Sequence, residues 1–352
     1  MTKPAAAQSH FWASVPGKVI ITGEYAVAFG QSAIGVAINR LSKATLSCQP
    51  VASNTEAMLT LQLPQLRKQR TLFVHKAQQL ADHVAQQHKA FLAGQIPLSN
   101  LFSDPEDLLL AALGYGISIN QLAVQQHLNF TLHSELLMGG GMGSSASTIA
   151  ALLAALLHAN SYPFDKQSLY QQVQVIEHWQ HGRSSGLDPH LCVYGGMHFL
   201  QGGQYRQLHV SIPRHWFLVS SGNPQSSTGE CVELVRQQQH SESFWQQFGE
   251  VVKAMEGALL EADSDTLVEL IKANHRLLQT LTVVPKTVAD FIAQVELAGG
   301  AGKVCGAGSI RGEAGGLILV AGVNIEPLEK LCQAAGYQYW PLDSNHQGVI
   351  YG

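Results

Sequence analysis

The sequence predicts an α+β fold in two domains, on three observations. The chain has 352 residues, 46% of them hydrophobic, about twice a typical domain and ample for a buried core without disulfide staples. Segments of strand character and of helical spacing come in blocks rather than in regular alternation, which argues against a doubly wound parallel sheet. Strand character returns near Gly196 after a long helical stretch. A division there gives domains over 1–195 and 196–352, with the active site between them.

The elements follow in order. Residues 11–49 mix β-branched and aromatic residues and are punctuated by Pro16-Gly17 and Gly23, so they read as β structure. Residues 73–92 carry Phe73, Val74, Ala77, Leu80, Ala81 and Val84 near helical spacing. This predicts a surface helix, on which His83 and His88 do not share a face. A loop over 94–107 leads into a helical stretch at 108–113. A strand at 128–136 runs into GGGMGSSAS and a helix. The next helix starts after Asp165 as N-cap and stops at Gly182. After β structure from 196 to about 219, helices are predicted near 229–262 and 264–280. The end reads helix, Gly-rich turn, strand, helix, strand.

Composition narrows the function classes. Lys and Arg total 21 against 25 acidic residues, for a net charge of −4. That balance argues against a nucleic-acid binder and leaves room for a local basic cleft. The five cysteines, Cys48, Cys192, Cys231, Cys305 and Cys332, form no CxxC pair, which fits a reducing compartment without a zinc framework. The longest apolar stretch, 148–157, is about half the ~20 residues of a membrane-spanning helix. The first ten residues have no hydrophobic signal core. A soluble cytoplasmic protein with no membrane or nucleic-acid partner is the expectation.

Four features carry chemistry. GGGMGSSAS follows a strand and opens a helix, an arrangement that aims backbone N–H groups and a helix dipole at an anion. It is either a phosphate loop or a tight turn capped by Ser144. It is not GxxxxGK[ST], because both Gly-Lys pairs, 17–18 and 302–303, are followed by valine, and GxGxxG fails at Ser144. Glu177 falls in the last turn of a helix, against the dipole, which makes it a candidate for meeting a cation. Asp188 directly precedes Pro189, the pattern of a helix N-cap, and is otherwise a second candidate acid. Lys18, flanked by Val19, Ile20 and Ile21, is either an edge-strand solubiliser or a charge aimed into a cleft. His178 and His181 have no third ligand in reach and read as structural.

Taken together, PGKVIITGEYAVAFG, SELLMGGGMGSSAS, EHWQHGRSSGLD and GKVCGAGS with Gly315-Gly316 resemble the GHMP small-molecule kinases in content and order. ANHRLLQTL adds a segment typical of the family's C-terminal domain. Within the family, the pattern is most similar to members that phosphorylate mevalonate. The resemblance implies an N-terminal α+β domain, a ferredoxin-like C-terminal domain, and ATP and substrate in the cleft between them. It implies that Ser134 and the loop Gly139, Gly140, Gly141, Met142, Gly143, Ser144 and Ser145 hold the nucleotide phosphates. Ser145 and Glu177 would bind Mg²⁺. Asp188 would take the proton of the attacking hydroxyl, beside Lys18. Glu24, Tyr25 and, in a Ser227-Thr228 segment, Thr228 would lie close to the substrate. A homodimer is the family expectation.

Three departures stand out. Tyr25 replaces a histidine usual in the mevalonate-phosphorylating members, and GEYAV is more usual in those acting on 5-phosphomevalonate. The proline common before the glycine loop is replaced by Leu137-Met138. The last motif is interrupted by IRGE after GAGS. Arg183 could be a surface residue or pair with a phosphate already on the substrate. A non-catalytic relative would be expected to have lost one of Lys18, Ser145, Glu177 or Asp188; all four are present, so an enzyme is expected.

Overall fold

A computed structural model describes residues 9–52 and 55–352. The chain runs β1 (Ser9–Thr22), a 3-10 turn (Ala26–Phe29), β2 (Ala33–Pro50), β3 (Met58–Leu63), β4 (Lys68–Phe73), α1 (Val74–Leu92) and α2 (Pro105–Ile119). Next come β5 (Gln126–Ser134), α3 (Ser144–Ala159), α4 (Lys166–His181), α5 (Leu187–Tyr194), β6 (Met197–Gln201), β7 (Gln204–Leu208) and β8 (Trp216–Ser220). The remainder is α6 (Thr228–Gln237), α7 (Glu242–Glu261), α8 (Ser264–Thr280), α9 (Lys286–Leu297), β9 (Ala301–Val304), β10 (Leu317–Ala321), α10 (Ile325–Ala335), β11 (Gln338–Pro341) and β12 (Ile350–Tyr351).

Two sheets organise these elements. The first has the order β12-β1-β2-β5-β3-β4, with β6 joining β2 and β7 joining β6. The long strand β2 serves both β5, through residues 42–50, and β6, through residues 33–36. The second sheet has the order β11-β8-β10-β9, antiparallel throughout. Counted by appearance that is fourth, first, third, second, the ferredoxin-like arrangement of strands around two helical crossovers. The two-domain α+β architecture is therefore as expected.

The domain division is later than 195/196. β6 and β7 extend the first sheet, so the chain changes sheets between Leu208 and Trp216. It then returns at its end, where β12 pairs with β1. Two further corrections concern local breaks. The helix expected over 229–262 is two helices separated at 238–241, where Ser241 starts α7 by accepting the amide of Phe244. The strand β9 was not foreseen, since four residues give too short a pattern.

α3 explains the longest apolar stretch: residues 146–157 are all buried at the centre of the first domain. Among the described residues no helix is long and apolar enough to cross a membrane. α1 is less exposed than expected, burying Val74, Ala77, Ala81 and Val84. A further apolar cluster is shared by the domains, joining Val19, Ile21 and Val36 to Leu218, Val252 and Leu319.

Two buried histidines make stability depend on acid. His275 in α8 is fully buried with no partner for either ring nitrogen among the described residues, and burial depresses its pKa to about 4. His190 in α5 stacks on Tyr205 and sits 3.1 Å from His198 Nδ1; burial, then His198, depresses its pKa to about 3. A depressed base refuses protons that the unfolded chain accepts, so stability is lost as pH falls below the ordinary histidine value of 6.5. The melting temperature is expected to be lower near pH 5 than near pH 7.5, and His275→Leu to narrow that difference. An equal pH dependence in the variant would contradict this account.

Candidate active site

The cleft between the domains is built from the edge of β1 outward. Beyond its short pairing with β12, β1 has a free side, and the glycine loop occupies it: the Lys18 amide donates to the Met142 carbonyl at 2.9 Å. Gly17 permits this approach, since a Cβ there would lie 2.8 Å from the same oxygen. Gly143, at φ 68°, begins α3 and would otherwise strike the Lys18 stem at 2.8 Å. The loop thus folds over the lysine that follows Gly17.

Lys18 is 3% exposed, which excludes a solubilising role. Its ammonium lies 3.1 Å from Asp188 Oδ2 and donates to the Gly141 carbonyl at 3.1 Å. A buried cation requires such partners. Asp188 is not an N-cap: Gly186 takes that position in a left-handed conformation, and Asp188 and Pro189 fall within the first turn of α5. The Asp188 carboxylate therefore stands free of the helix amides, near a helix N-terminus that favours its charge.

Glu177 is 1% exposed in the last turn of α4. One carboxylate oxygen, Oε2, lies 3.6 Å from His181 Nε2, and the other has no partner among the described residues. Burial raises its pKa, opposed by His181; Asp188 raises it further, while Ser145 and Lys18 lower it. An unpartnered buried oxygen, beside a second carboxylate and against a helix dipole, is a setting that a cation would relieve. The hydroxyl of Ser145, in the first turn of α3, is the nearby neutral oxygen. This donor set suits Mg²⁺, which takes one or two protein oxygens and keeps waters and phosphate oxygens for the rest.

Gly139, Gly140 and Gly141 line the cleft, facing Gly306, Ala307, Gly308 and Gly315 of the second domain. The two glycine segments touch. Gly141, at φ 89°, would place a Cβ 2.6 Å from the Cys305 carbonyl. The Leu317 amide donates to the Gly140 carbonyl at 3.1 Å. The IRGE interruption does not fall across this contact. It folds outward, where Arg311 pairs with Glu230 at 2.6 Å and Ser309 meets Ser226.

Other expected residues divide. Met142 is buried, with its sulfur accepting the Leu137 amide, and Ser144 is the first residue of α3 rather than a cap. Ser134 does not line the cleft; its hydroxyl is held by Ser42 at 2.9 Å and accepts the Leu136 amide, closing the end of β5. Glu24 and Tyr25 line the cleft but are engaged elsewhere, Glu24 in an ion pair with Lys303 and Tyr25 donating to the Ala307 carbonyl. Burial raises the Tyr25 phenol well above its ordinary pKa, so it stays a neutral donor. Thr228 lines the cleft at the start of α6, and Ser227 is that helix's cap.

His181, Arg183, Ser226 and Arg236 also line the cleft. His181 was read as structural, although its spacing of four from Glu177 on one helix was the signal. His178 is structural: it accepts the Ser184 amide at 2.9 Å and holds the loop before α5. Neither Arg183 nor Arg236 forms an ion pair among the described residues.

Comparison with known proteins points to one class. Residues 108–196 match the family model for the GHMP kinases N terminal domain. The chain is thus similar to the GHMP kinases, and with its relatives it reads as an ATP-dependent small-molecule kinase. Within that class it is most like the mevalonate kinases. That of Archaeoglobus fulgidus is 27% identical over 302 residues, 84% of this chain and 88% of the other. The solved Methanococcus jannaschii mevalonate kinase aligns with a TM-score of 0.75 at 20% identity, covering 94% of this chain and 97% of its own. The L. major mevalonate kinase in complex with R-mevalonate aligns at 0.70 with 20% identity, covering 98% and 99%. These two structures bear on the fold.

If Glu177 holds the metal, Glu177→Gln should raise the Mg²⁺ concentration needed for half-maximal turnover, with little change in far-UV circular dichroism. An unchanged Mg²⁺ titration would remove Glu177 from the metal site.

Proposed function

We propose that this enzyme transfers the terminal phosphoryl group of ATP to the 5-hydroxyl of mevalonate, giving 5-phosphomevalonate. The single observation that carries the reading is the Lys18–Asp188 pair, 3.1 Å apart in a cleft walled by two glycine segments. The curated relatives over 84% of the chain, which are named mevalonate kinases, support the choice of acceptor.

An alcohol is a poor nucleophile at neutral pH, and phosphoryl transfer needs positioning and charge stabilisation more than covalent chemistry. In this reading Asp188 accepts the hydroxyl proton as general base. Lys18, fixed by the Gly141 carbonyl and by Asp188, supplies positive charge where the alkoxide and the transferring group develop negative charge. The amides of the glycine loop and the N-terminus of α3 receive the nucleotide phosphates. Mg²⁺, when bound by Glu177 and Ser145, neutralises phosphate charge. Glu24 and Tyr25 form wall rather than direct ligands, and Thr228 borders the acceptor side. The unpaired Arg183 and Arg236 suit an anionic acceptor, which mevalonate is through its carboxylate.

The test is ADP release by the purified enzyme with Mg-ATP, comparing mevalonate with 5-phosphomevalonate, with Asp188→Asn alongside. Turnover of mevalonate is expected, and a loss of about 10²- to 10⁴-fold in kcat for Asp188→Asn, the usual worth of a positioned base. Turnover of 5-phosphomevalonate alone would reassign the acceptor and give Arg183 a phosphate to bind. Near-normal turnover in Asp188→Asn would remove the general-base role.

A further inference from the structure

We propose that Lys303 is a positioning residue for nucleotide binding: acting through Glu24, it holds the second glycine segment against the first. Lys303 lies in β9, is fully buried, forms an ion pair with Glu24 and donates to the Ile20 carbonyl at 3.2 Å. Ile20 and Glu24 flank the end of β1, so these bonds run from one domain to the other. Four residues further on, the Ala307 carbonyl accepts the Tyr25 hydroxyl. Residues 24 and 25 are thus tied to residues 303 and 307.

Between those two ties lie Cys305 and Gly306, the backbone against which Gly141 packs so closely that no side chain fits. The apolar cluster shared by the domains draws the sheets together, but apolar burial is non-directional and does not fix where one loop meets another. A buried ammonium and carboxylate do, because each costs heavily if displaced from its partner. The buried bond from the Thr22 hydroxyl to Asn274 Oδ1 adds a polar tie from β1 to α8 beside them. None of these groups is needed to move a proton or bind the acceptor. Their common effect is the spacing of the two loops.

The inference rests on the reading that these loops hold the nucleotide, and it stands whichever alcohol is phosphorylated. Its test is calorimetric titration of the full-length protein with Mg-ADP, for wild type, Lys303→Met and the double variant Lys303→Met/Glu24→Leu, each with its melting temperature. Lys303→Met should bind ADP about 5- to 100-fold more weakly, the usual span of coupling between linked sites. The double variant, which leaves no lone buried carboxylate, should regain much of the lost melting temperature and still bind ADP weakly. A purely structural role would restore both together. Wild-type ADP affinity in the double variant would overturn the proposal, as would unchanged affinity in Lys303→Met. If Lys303→Met does not fold, the double variant decides by the same criterion. Failure of the wild type to bind ADP would instead overturn the nucleotide reading of the loops.

Discussion

The burial of one ammonium group, that of Lys18, constrains everything around it. A lysine removed from water is tolerated only with partners, and this one has two: the carboxylate of Asp188 from α5 and the carbonyl of Gly141 from the loop before α3. Each partner has to be delivered by its own local device. Gly186 starts α5 so that Asp188 is left free of capping duty. Gly143 lets the loop pass over the lysine stem. The same loop then presents its glycines to the second domain. Under the proposed function, the same arrangement that satisfies a buried charge would also serve the chemistry of a kinase.

Glu177 has the complementary status. Lys18 has two acceptors, whereas Glu177 is buried with one oxygen unmatched among the described residues, at the unfavourable end of a helix and near a second carboxylate. A group left in that condition costs stability unless a ligand supplies what the protein withholds. The cleft therefore holds a partnered ammonium beside a carboxylate with one oxygen unmatched, a setting in which a bound cation would be favoured.

Much of this was legible in the sequence because it is local. Asp165 and Gly182 bound α4 as their residue types require. The position of Glu177 in the last turn follows from those limits. Sequence could not decide Lys18, Asp188 or the glycine loop individually, since each has an ordinary structural reading; their order along the chain did so through resemblance to a family. What escaped was set by partners distant in the chain. Lys303 had no role of its own in the sequence beyond its place in GKVCGAGS, because its partner Glu24 lies 279 positions away. Ser134, which the resemblance would make a phosphate ligand, is hydrogen-bonded across the sheet by Ser42, a contact no local pattern announces. β6 and β7 were assigned to the wrong domain because joining β2 is a matter of sheet pairing and not of composition.

The central claim is that Lys18 and Asp188 act as one unit. A double-mutant cycle on phosphoryl transfer, with Lys18→Met, Asp188→Asn and the combination, tests it most directly. Groups that act together are not additive, so the double variant is expected to be about as slow as the slower single variant. Losses that multiply would mean that the two side chains contribute independently, and would contradict the account.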